Sequence, residues 1–435
     1  MGASTPIGTL SPKVARMPRF GHITPIYYNT AVNNVPGLDQ AYDWIPPDGG
    51  EDPIRNYDSL RERCPVAHSE LQGWTLLRHA DVLAALHDPG TFSSRVSTHV
   101  AVPNGMDGLE HAAFRAVIDR CFRPERVAAF APQLRGIAQS LVAELSVTEG
   151  GTVDIMTALA EPYAARAQCA YLGWSTSVAE DLRAWATESR EATRNRDREA
   201  LDRVARKFDS IIVTELNRAR SQSPASPRSL THQLLSERVT GRPLTDEELV
   251  SIVRNWTAGE LGTISAAVGI VVEFLARHRD VQAVFCVRPD LRQAAMDEML
   301  RLEPPLVSNR RRTTRAVQVA GRSIPADKAV TILWPAVQHD PAVFAEPTEF
   351  RPDRDPADNL LYGRGAHYCP GEGLSRLELG MVLETLLAET PPFRLATEPV
   401  RSSPPAGGFA QVQITRSQPE PNPLKLTRGP KEGES

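Results

Sequence analysis

Residues Leu361 to Gly373 read LYGRGAHYCPGEG and place one cysteine, Cys369, among four glycines. Glycine gives a loop the backbone freedom to fold tightly, so that peptide N–H groups can point at a sulfur atom. The following text, PGEGLSRLELGMVLETLLAE from Pro370 to Glu389, has the pattern of a helix, whose N-terminus favours a nearby negative charge. The stretch therefore predicts a metal-bound thiolate at a helix start. A loop with an incidental buried cysteine is the alternative.

Other chemistries of a glycine-rich loop fit less well. The loop lacks the Lys-Ser/Thr ending of a nucleotide phosphate cradle. The chain also contains no G-x-S-x-G and no H-E-x-x-H, and nothing pairs a particular histidine with Cys369. The five cysteines are odd in number, far apart and form no C-x-x-C, which argues against a disulfide framework and a thiolate zinc site.

Composition limits the class of protein. The chain has 435 residues, 41% hydrophobic, which is enough for a large buried core. Its net charge of −4 points to neither nucleic acid nor an anionic membrane as a partner. The N-terminus has no signal-peptide pattern, and no uninterrupted apolar run is long enough to cross a bilayer. We expect a cytoplasmic protein, with a monomer as the default.

The pattern along the chain predicts a mainly α fold with small β-sheets. We expect an irregular arm over 1–35, a single catalytic domain over 36–416 and a disordered tail over 417–435. Apolar spacing is helical in most of the domain. The helical stretches are 109–145, 154–173, 178–219, 246–279, 290–302 and 374–389, and the strand-like ones are 73–78, 316–324, 329–334 and 410–416.

One predicted helix is unusually long. Thr245 and Glu248 fit a capping box at its start, and the helical pattern then continues for roughly thirty residues. It contains Gly259, Gly262 and Gly269, and each interior glycine costs about 1 kcal/mol relative to alanine. Close helix packing is the simpler explanation. Two glycines three residues apart also suggest that a bulky group lies against the backbone.

The stretch from Tyr362 to Gly371 resembles the haem-binding signature of the cytochrome P450 family, F-G-x-G-x-H-x-C-x-G, with Tyr362 in place of phenylalanine. Three further motifs resemble the family in the right order, from about residue 58 to 416. Glu298 to Arg301 is similar to its E-x-x-R, 344–354 resembles the segment that supplies a third partner, here Arg354, and 106–118 resembles a helix that meets the haem propionates.

The resemblance implies the P450 fold and a haem b cofactor whose iron is bound by Cys369. It implies a structural role for the Glu298, Arg301 and Arg354 cluster, which would hold the core beneath the cysteine loop. The other residues that it places against haem are His111, Arg115, Ala258, Gly259, Arg311, His367 and Gly371.

The long helix departs from the family at the oxygen site. The family carries A-G-x-[DE]-T there, and this acid and alcohol deliver protons. Aligned on Ala258-Gly259, this chain has Leu261 at the acid position and Gly262 at the alcohol position. Glu260 and Thr263 offer a carboxylate and a hydroxyl, each displaced by one residue, or about 100° around a helix.

Three hypotheses follow for proton delivery. In the first, Glu260 or an ordered water replaces the missing pair. In the second, a polar group of the substrate does so. In the third, the enzyme performs oxidative coupling without oxygen insertion, or it uses peroxide.

Substrate and redox partner are also implied by the resemblance. A mid-sized, partly apolar substrate would contact Val100, Val102, Asn255, Leu306, Val307, Ser308 and Phe409. Electrons would come from NAD(P)H through a separate ferredoxin or flavodoxin that docks on a basic proximal face. That face would comprise Arg120, Arg123, Arg126, Arg364 and Arg376.

We therefore expect a haem-thiolate monooxygenase that hydroxylates, or O- or N-demethylates, a small aromatic or natural-product molecule. The alternatives are oxidative coupling or peroxide-driven chemistry in secondary metabolism and, in a different class, a non-enzymatic haem sensor or carrier.

Overall fold

The structure is a computed structural model that describes residues 53–69, 72–97, 99–145, 151–195, 197–222, 229–403 and 406–416. The arm predicted over 1–35, the first part of the predicted catalytic domain and the tail predicted over 417–435 lie outside the described residues.

Helices dominate the described chain, as the apolar spacing predicts. In chain order they are α1 Pro53–Arg63, α2 His79–His87, α3 Gly108–Asp119, α4 Pro124–Ala143, α5 Glu161–Leu172, α6 Ser177–Asn195, α7 Arg198–Ser221, α8 Leu230–Ser236, α9 Asp246–Arg277, α10 Arg279–Val287, α11 Arg292–Leu302, α12 Trp334–Gln338 and α13 Glu372–Glu389.

The strands are short and form small sheets. They are β1 Val66–Ser69, β2 Gly73–Leu76, β3 Phe92–Ser93, β4 Val153–Asp154, β5 Arg238–Val239, β6 Arg242–Pro243, β7 Ser308–Thr313, β8 Val317–Val319, β9 Arg322–Ile324, β10 Ala329–Leu333, β11 Phe393–Leu395, β12 Val400–Arg401, β13 Phe409–Gln411 and β14 Gln413–Arg416.

The largest sheet has the order β1-β2-β10-β7-β3, in which only the β2–β10 pair is parallel. A second sheet has the order β11-β14-β4, and the remaining described strands form the three antiparallel pairs β5–β6, β8–β9 and β12–β13. The prediction of a mainly α fold with small sheets is confirmed.

Helix α9 is the central element of the core. Its capping box is formed: the Glu248 backbone N–H donates to Thr245 Oγ1 over 3.2 Å, and the Thr245 N–H donates to Glu248 Oε2 over 2.8 Å. The helix packs against α5, α7, α11 and α13. By length and composition α9 could cross a membrane, contrary to the sequence expectation, but 61% of its apolar window is buried inside the protein. This burial explains its composition.

The three interior glycines of α9 have different surroundings. A Cβ built on Gly269 would lie 2.4 Å from the sulfur of Met156, so close packing accounts for this glycine. A Cβ on Gly259 or Gly262 would meet no atom within 4 Å, and both residues are solvent-exposed although the helix around them is largely buried. One side of α9 is therefore open at these two positions.

Candidate active site

The loop that carries Cys369 is held by its own backbone. The Cys369 N–H donates to the Tyr362 carbonyl over 2.9 Å, and the Gly363 N–H donates to the Leu360 carbonyl over 2.8 Å. Gly363 and Gly365 have φ angles of +72° and +73°, which side chains rarely adopt. A Cβ on Gly365 would also lie 2.5 Å from the Leu86 carbonyl oxygen, so glycine is required there.

Cys369 lies in the turn that leads into α13. Burial raises the pKa of its thiol, whereas a hydrogen bond from the Gly371 backbone and the charge of Arg115 lower it. A Cβ on Gly371 would lie 3.8 Å from the Cys369 sulfur, so the chain passes close to this atom. A buried thiolate here needs further positive charge, which a bound metal ion would supply.

Aromatic side chains connect the cysteine loop to α9. The Phe122 ring would lie 3.7 Å from a Cβ on Gly371, and its centroid lies 5.0 Å from that of Trp256 on α9. Ala258, Gly259 and Gly262 follow Trp256 on the exposed part of α9. The sulfur and the open side of α9 thus belong to one region of the molecule.

The predicted distal residues occupy different sides of α9. Leu261, at the family's acid position, is only 6% exposed and belongs to the hydrophobic core. The Thr263 hydroxyl donates to the Gly259 carbonyl within the helix over 2.8 Å. Glu260 is partly accessible, and its Oε1 atom is enclosed.

Glu260 meets a second glutamate, Glu378 of α13. No N–H or hydroxyl group in the described chain donates to Oε1 of Glu260 or to either carboxylate oxygen of Glu378. Burial raises the pKa of Glu260 to about 7, and burial together with the neighbouring Glu260 raises that of Glu378 well above its usual value. The two carboxyl groups are therefore neighbours that raise each other's cost of ionisation.

Four predicted anion-binding residues lie near one another at the end of α3. The ring centroids of His111 and His367 are 4.1 Å apart, and the charges of Arg311 and Arg115 act on His367. Arg115 donates through Nη1 to the carbonyls of Ala366 and Tyr368, over 3.1 and 2.6 Å. It therefore also ties α3 to the cysteine loop.

The surroundings of both histidines favour the neutral imidazole over the charged form. Burial, with a smaller effect of Arg115, lowers the pKa of His111. Burial and the neighbours His111 and Arg311 lower that of His367 to about 4. The positive charge of the group therefore comes from Arg115 and Arg311.

Two polar residues absent from the prediction complete this group. The Ser94 hydroxyl lies 3.0 Å from His367 Nε2, and a carboxylate oxygen of Asp107 lies 3.8 Å from the same nitrogen. Neither has a recognisable signal in the sequence, since each comes close to His367 only through the packing of its loop.

Glu298, Arg301 and Arg354 form one largely buried cluster, as the predicted contacts among the three residues require. Arg301 donates to both Glu298 oxygens, over 2.7 and 2.9 Å, and Arg354 Nε donates to Glu298 Oε1 over 2.9 Å. The other N–H groups of the two arginines donate to backbone carbonyls. Arg301 bonds the carbonyls of Gln338 and Pro347, and Arg354 bonds those of Ala345 and Glu346. The Glu298 carboxylate is thus paired with two cations, and both guanidinium groups have further hydrogen-bond acceptors.

The predicted pocket residues divide into exposed and enclosed ones. Val100 and Leu306 are 38% and 36% exposed, and Leu306 pairs with Ala406, which brings this turn beside the hairpin. Val102 is fully buried in the core, and Phe409 is 7% exposed beneath Arg401. Val307 packs against a separate small cluster, and Ser308 begins β7.

Asn255, predicted as a polar anchor for a substrate, already has a partner. Its Nδ2 donates to the Val102 carbonyl over 3.0 Å, and Ser251, one turn earlier, accepts from the Val102 N–H over 2.8 Å. These bonds fasten the loop before α3 to α9. The Asn255 amide nitrogen is therefore committed to the protein.

The predicted basic face is partly neutralised. Arg120 pairs with Glu237 at 2.5 Å, and Arg376 pairs with Asp297 at 2.9 Å. No carboxylate of the described residues pairs with the other three arginines, Arg123, Arg126 and Arg364. The excess positive charge is smaller than a count of arginines indicates.

Tyr362 fills the position where the signature has phenylalanine. Its ring lies beneath Arg376, whose guanidinium carbon is 5.4 Å from the ring centroid, and the two side chains hydrogen-bond. Burial raises the pKa of the phenol above its usual value. The additional hydroxyl is thus satisfied by an arginine beside the loop.

These residues fit a haem group. A partly buried sulfur lies in the same region as the open glycines of α9, and Arg115 and Arg311 lie beside His367 of the cysteine loop. The described chain has no cluster of three or more His, Cys, Asp or Glu side chains that could hold a metal ion alone. A porphyrin brings its own four nitrogen ligands, so one protein sulfur suffices.

Comparisons with known proteins agree with this assignment. Residues 290–416 match the family model described as Cytochrome P450. The chain is 30% identical to cyclomarin C epoxidase CymV of Salinispora arenicola, over 78% of this chain and 89% of that protein. It is 28% identical to erythromycin C-12 hydroxylase of Saccharopolyspora erythraea, over 82% and 90% of the two chains.

The fold agrees as well. The structure of open cytochrome P450 EryK from S. erythraea superposes with a TM-score of 0.76 at 26% identity, covering 85% of this chain and 97% of that one. The sequence motifs, the described fold and the relatives lead to one conclusion: the chain belongs to the cytochrome P450 family of haem-dependent monooxygenases.

Proposed function

We propose that this enzyme oxidises a natural-product or small aromatic molecule, by hydroxylation or by O- or N-demethylation, with dioxygen and electrons from a separate redox protein. The observation that carries the proposal is the partly buried Cys369 sulfur in a glycine-rich loop before α13, in the same region as the open glycines of α9. The named relatives act on cyclomarin C and erythromycin, which supports a natural product over a simple hydrocarbon.

The chain's own residues would have distinct tasks in this reaction. Cys369 would bind the iron, Arg115 and Arg311 would hold the propionates with His111 and His367 as neutral donors, and Ala258 and Gly259 would leave room for the flat ring. Haem, when bound, supplies oxygen activation. Insertion of one oxygen atom consumes two electrons and two protons and releases water, so the chain must also admit protons to the cleft.

Substrate contacts would come from the accessible part of the predicted pocket. Val100 and Leu306 offer apolar surface at the rim, and Ser308 offers a hydroxyl at the start of β7. Val102 and Phe409 are buried, so they would affect substrate binding indirectly. Val102 would fix the loop that contains Val100, and Phe409 would fix the hairpin beside Leu306. This division suits a partly apolar molecule with a hydrogen-bonding group.

Electron supply would use the proximal arginines. Arg123, Arg126 and Arg364 carry positive charge without a described carboxylate partner, so they suit an acidic ferredoxin or flavodoxin reduced by NAD(P)H. A cytoplasmic location and a monomeric state stay predictions.

The first test is spectroscopic. The purified holoenzyme, reduced under carbon monoxide, should give the Soret band of a thiolate-bound haem, and Cys369→Ser should abolish that band while haem remains bound. A Cys64→Ser variant is the matched control, because Cys64 is a buried cysteine outside this region. An unchanged band in Cys369→Ser would overturn the assignment of the ligand.

The second test identifies the substrate class. The ferric enzyme is titrated with macrolides, cyclic peptides, indoles, phenols and aromatic ethers. A compound that displaces water from the iron shifts the Soret band toward high spin, and turnover is then measured with plant-type ferredoxin and its reductase. A spectrum that no compound shifts and that no reductase can reduce would contradict a monooxygenase role.

A second candidate reaction is oxidative coupling or peroxide-driven oxidation. The observation in its favour is the pair Leu261 and Gly262, which supplies neither acid nor alcohol at the usual positions. Product formation with hydrogen peroxide that equals or exceeds that with the reductase system would favour this reaction over dioxygen-dependent insertion.

A further inference from the structure

One face of α9 is covered at its start and open further along. Ser251, Asn255 and Gly259 follow one another at intervals of four residues, and Gly262 comes three residues later, so all four share this face. The loop before α3 lies against Ser251 and Asn255, whereas Gly259 and Gly262 are exposed. The edge of this loop is therefore one border of the open stretch of α9.

Two side chains of α9 fasten this loop by its main chain. The Ser251 hydroxyl accepts from the Val102 N–H over 2.8 Å and donates to the Val100 carbonyl over 2.9 Å. Asn255 Nδ2 donates to the Val102 carbonyl over 3.0 Å. Both backbone polar groups of Val102 thus have partners on one helix, as they would have on a neighbouring β-strand. The bonded residues, 100–102, form a strap across α9.

The strap carries one buried and one accessible valine. Val102 is fully buried in the main hydrophobic core, and Val100 is 38% exposed. The Gly105 N–H donates to the Ala101 carbonyl over 2.6 Å, so each of the three strap carbonyls has a donor. A buried backbone group that loses its partner costs free energy comparable to a hydrogen bond. The two α9 side chains therefore determine where the Val100 side chain lies.

The hairpin of β12 and β13 borders the other end of the open stretch. Gly408 has a φ angle of +69°, and a Cβ built on it would lie 3.0 Å from the side chain of Ile270, on the same face of α9. This border depends on tight packing. The strap depends on hydrogen bonds, each of which changes an equilibrium by about fivefold. A substitution in α9 can therefore release the strap and leave the hairpin in place.

We propose that Ser251 and Asn255 are positioning residues, which fasten the strap and thereby determine the size of the molecules that enter the cleft beside it. The proposal rests on the proposed function, because it takes the open stretch of α9 as a wall of the substrate cleft. A fixed strap holds Val100 in one place, which favours ligands that match the existing shape and slows the entry of bulky ones. The Asn255 amide thus acts on the substrate through the strap and not by direct contact.

The first experiment measures the fastening itself and needs no substrate. Hydrogen–deuterium exchange of the ferric holoenzyme is followed by mass spectrometry in peptides that contain the strap. Ser251→Ala removes both bonds of the hydroxyl, and Asn255→Asp at pH 8 places a carboxylate against the Val102 carbonyl. Each variant should speed exchange of the strap amides by about fivefold or more, given the typical contribution of one hydrogen bond.

The second experiment measures selection by size. Imidazole and the bulky azole clotrimazole both bind ferric haem iron through a nitrogen atom, and stopped-flow absorbance gives the association rate of each. In Ser251→Ala and Asn255→Asp the clotrimazole rate should rise by about fivefold, because entry of a bulky ligand follows the population of the released strap. Imidazole is small and should keep its wild-type rate.

Thr257→Val is the matched control. Thr257 is a fully buried residue of α9, and its hydroxyl accepts from Gln168 Nε2 of α5 over 2.8 Å. The change keeps nearly the same volume and removes a hydrogen bond of the same helix, away from the strap. It should lower thermal stability but alter neither strap exchange nor the ratio of the two association rates. A ratio that changes equally in Thr257→Val would reduce Ser251 and Asn255 to a structural role.

Each result has a distinct meaning. Strap exchange that stays at the wild-type rate in both variants would overturn the fastening. Faster exchange with an unchanged ratio of association rates would overturn the role in selection. A wild-type enzyme that lacks the thiolate-bound carbon monoxide spectrum would instead disprove the proposed function, whatever the exchange result.

Discussion

Two buried glutamates, one in α11 and one in α13, differ in what surrounds them. Glu298 is 4% exposed and accepts hydrogen bonds from two arginines and from the Arg351 backbone N–H. Glu378 is fully buried and has another glutamate as its neighbour. The first carboxylate is held between two cations, whereas burial and the neighbouring Glu260 raise the pKa of the second.

The difference separates structure from chemistry. A buried charge with complete compensation holds elements in place and has no reason to change its protonation state. A buried acid without a cation has a pKa displaced toward neutral pH, which is the property expected of a group that exchanges protons during a reaction. The same residue type thus acquires two roles from two environments.

The largest effect should follow from breaking the compensated cluster. Glu298→Gln removes the negative charge and leaves the Arg301 and Arg354 guanidinium groups buried beside an amide. Loss of one partner from a buried ion pair costs about 3–5 kcal/mol. We expect a lower urea midpoint and loss of haem from the folded protein, measured by circular dichroism and absorbance.

The control for this variant is the surface pair Arg135–Glu384, with side chains 47% and 48% exposed. Arg135→Ala should cost no more than about 1 kcal/mol. Equal urea midpoints for Glu298→Gln and Arg135→Ala would show that compensation is unimportant at the buried site.

The compensated cluster could be predicted from sequence, and the uncompensated pair could not. Glu298 and Arg301 share one turn of one helix, and Arg354 lies in a recognisable segment, so local spacing and a family motif suffice. Glu260 and Glu378 are 118 residues apart. Their meeting depends on how α9 packs against α13, which no local pattern encodes.

A weak signal for Glu378 exists in the sequence. It lies between Leu377 and Leu379 in an otherwise apolar part of α13, where a carboxylate must be buried. The fold class followed from periodicity, since most predicted helices and strands occur in the structure. Asn255 shows where prediction from sequence fails. Its amide was predicted to bind a substrate, but its Nδ2 donates to the Val102 carbonyl instead.

A smaller effect is expected in the pH dependence of stability, which should depend on the Glu260–Glu378 pair. Glutamates of the unfolded chain ionise near 4.5, whereas the pKa of Glu260 is about 7 when folded. The folded state therefore retains a proton that the unfolded state loses, and stability present at low pH is lost as the pH rises through 7. At about 1.4 kcal/mol per pH unit, Glu260 alone accounts for a loss of about 3 kcal/mol, and Glu378, whose pKa is also raised, adds to it.

The measurement is the urea midpoint of the holoenzyme between pH 5 and pH 8. Wild type should lose stability over this range relative to Glu260→Gln/Glu378→Gln, while Glu384→Gln should follow wild type. Parallel pH profiles for wild type and the double variant would show that the pair does not bind a proton when folded.

The smallest loss of stability should come from a variant that weakens the hydrogen bonds to Glu298 but keeps the positive charge beside it. Arg354→Lys keeps a cation near Glu298 but loses the planar fork that also bonds the Ala345 and Glu346 carbonyls. We expect a cost of about 1–2 kcal/mol, since the Arg354 side chain is 11% exposed and water can replace part of its bonding. Arg351→Lys is the matched control, because that side chain is 40% exposed and its ion pairs are longer than 3.3 Å. If Arg354→Lys destabilised the protein as much as Glu298→Gln, hydrogen-bond geometry rather than charge would determine the stability of the cluster. The difference between Glu298 and Glu378 would then be one of hydrogen bonding and not of charge compensation.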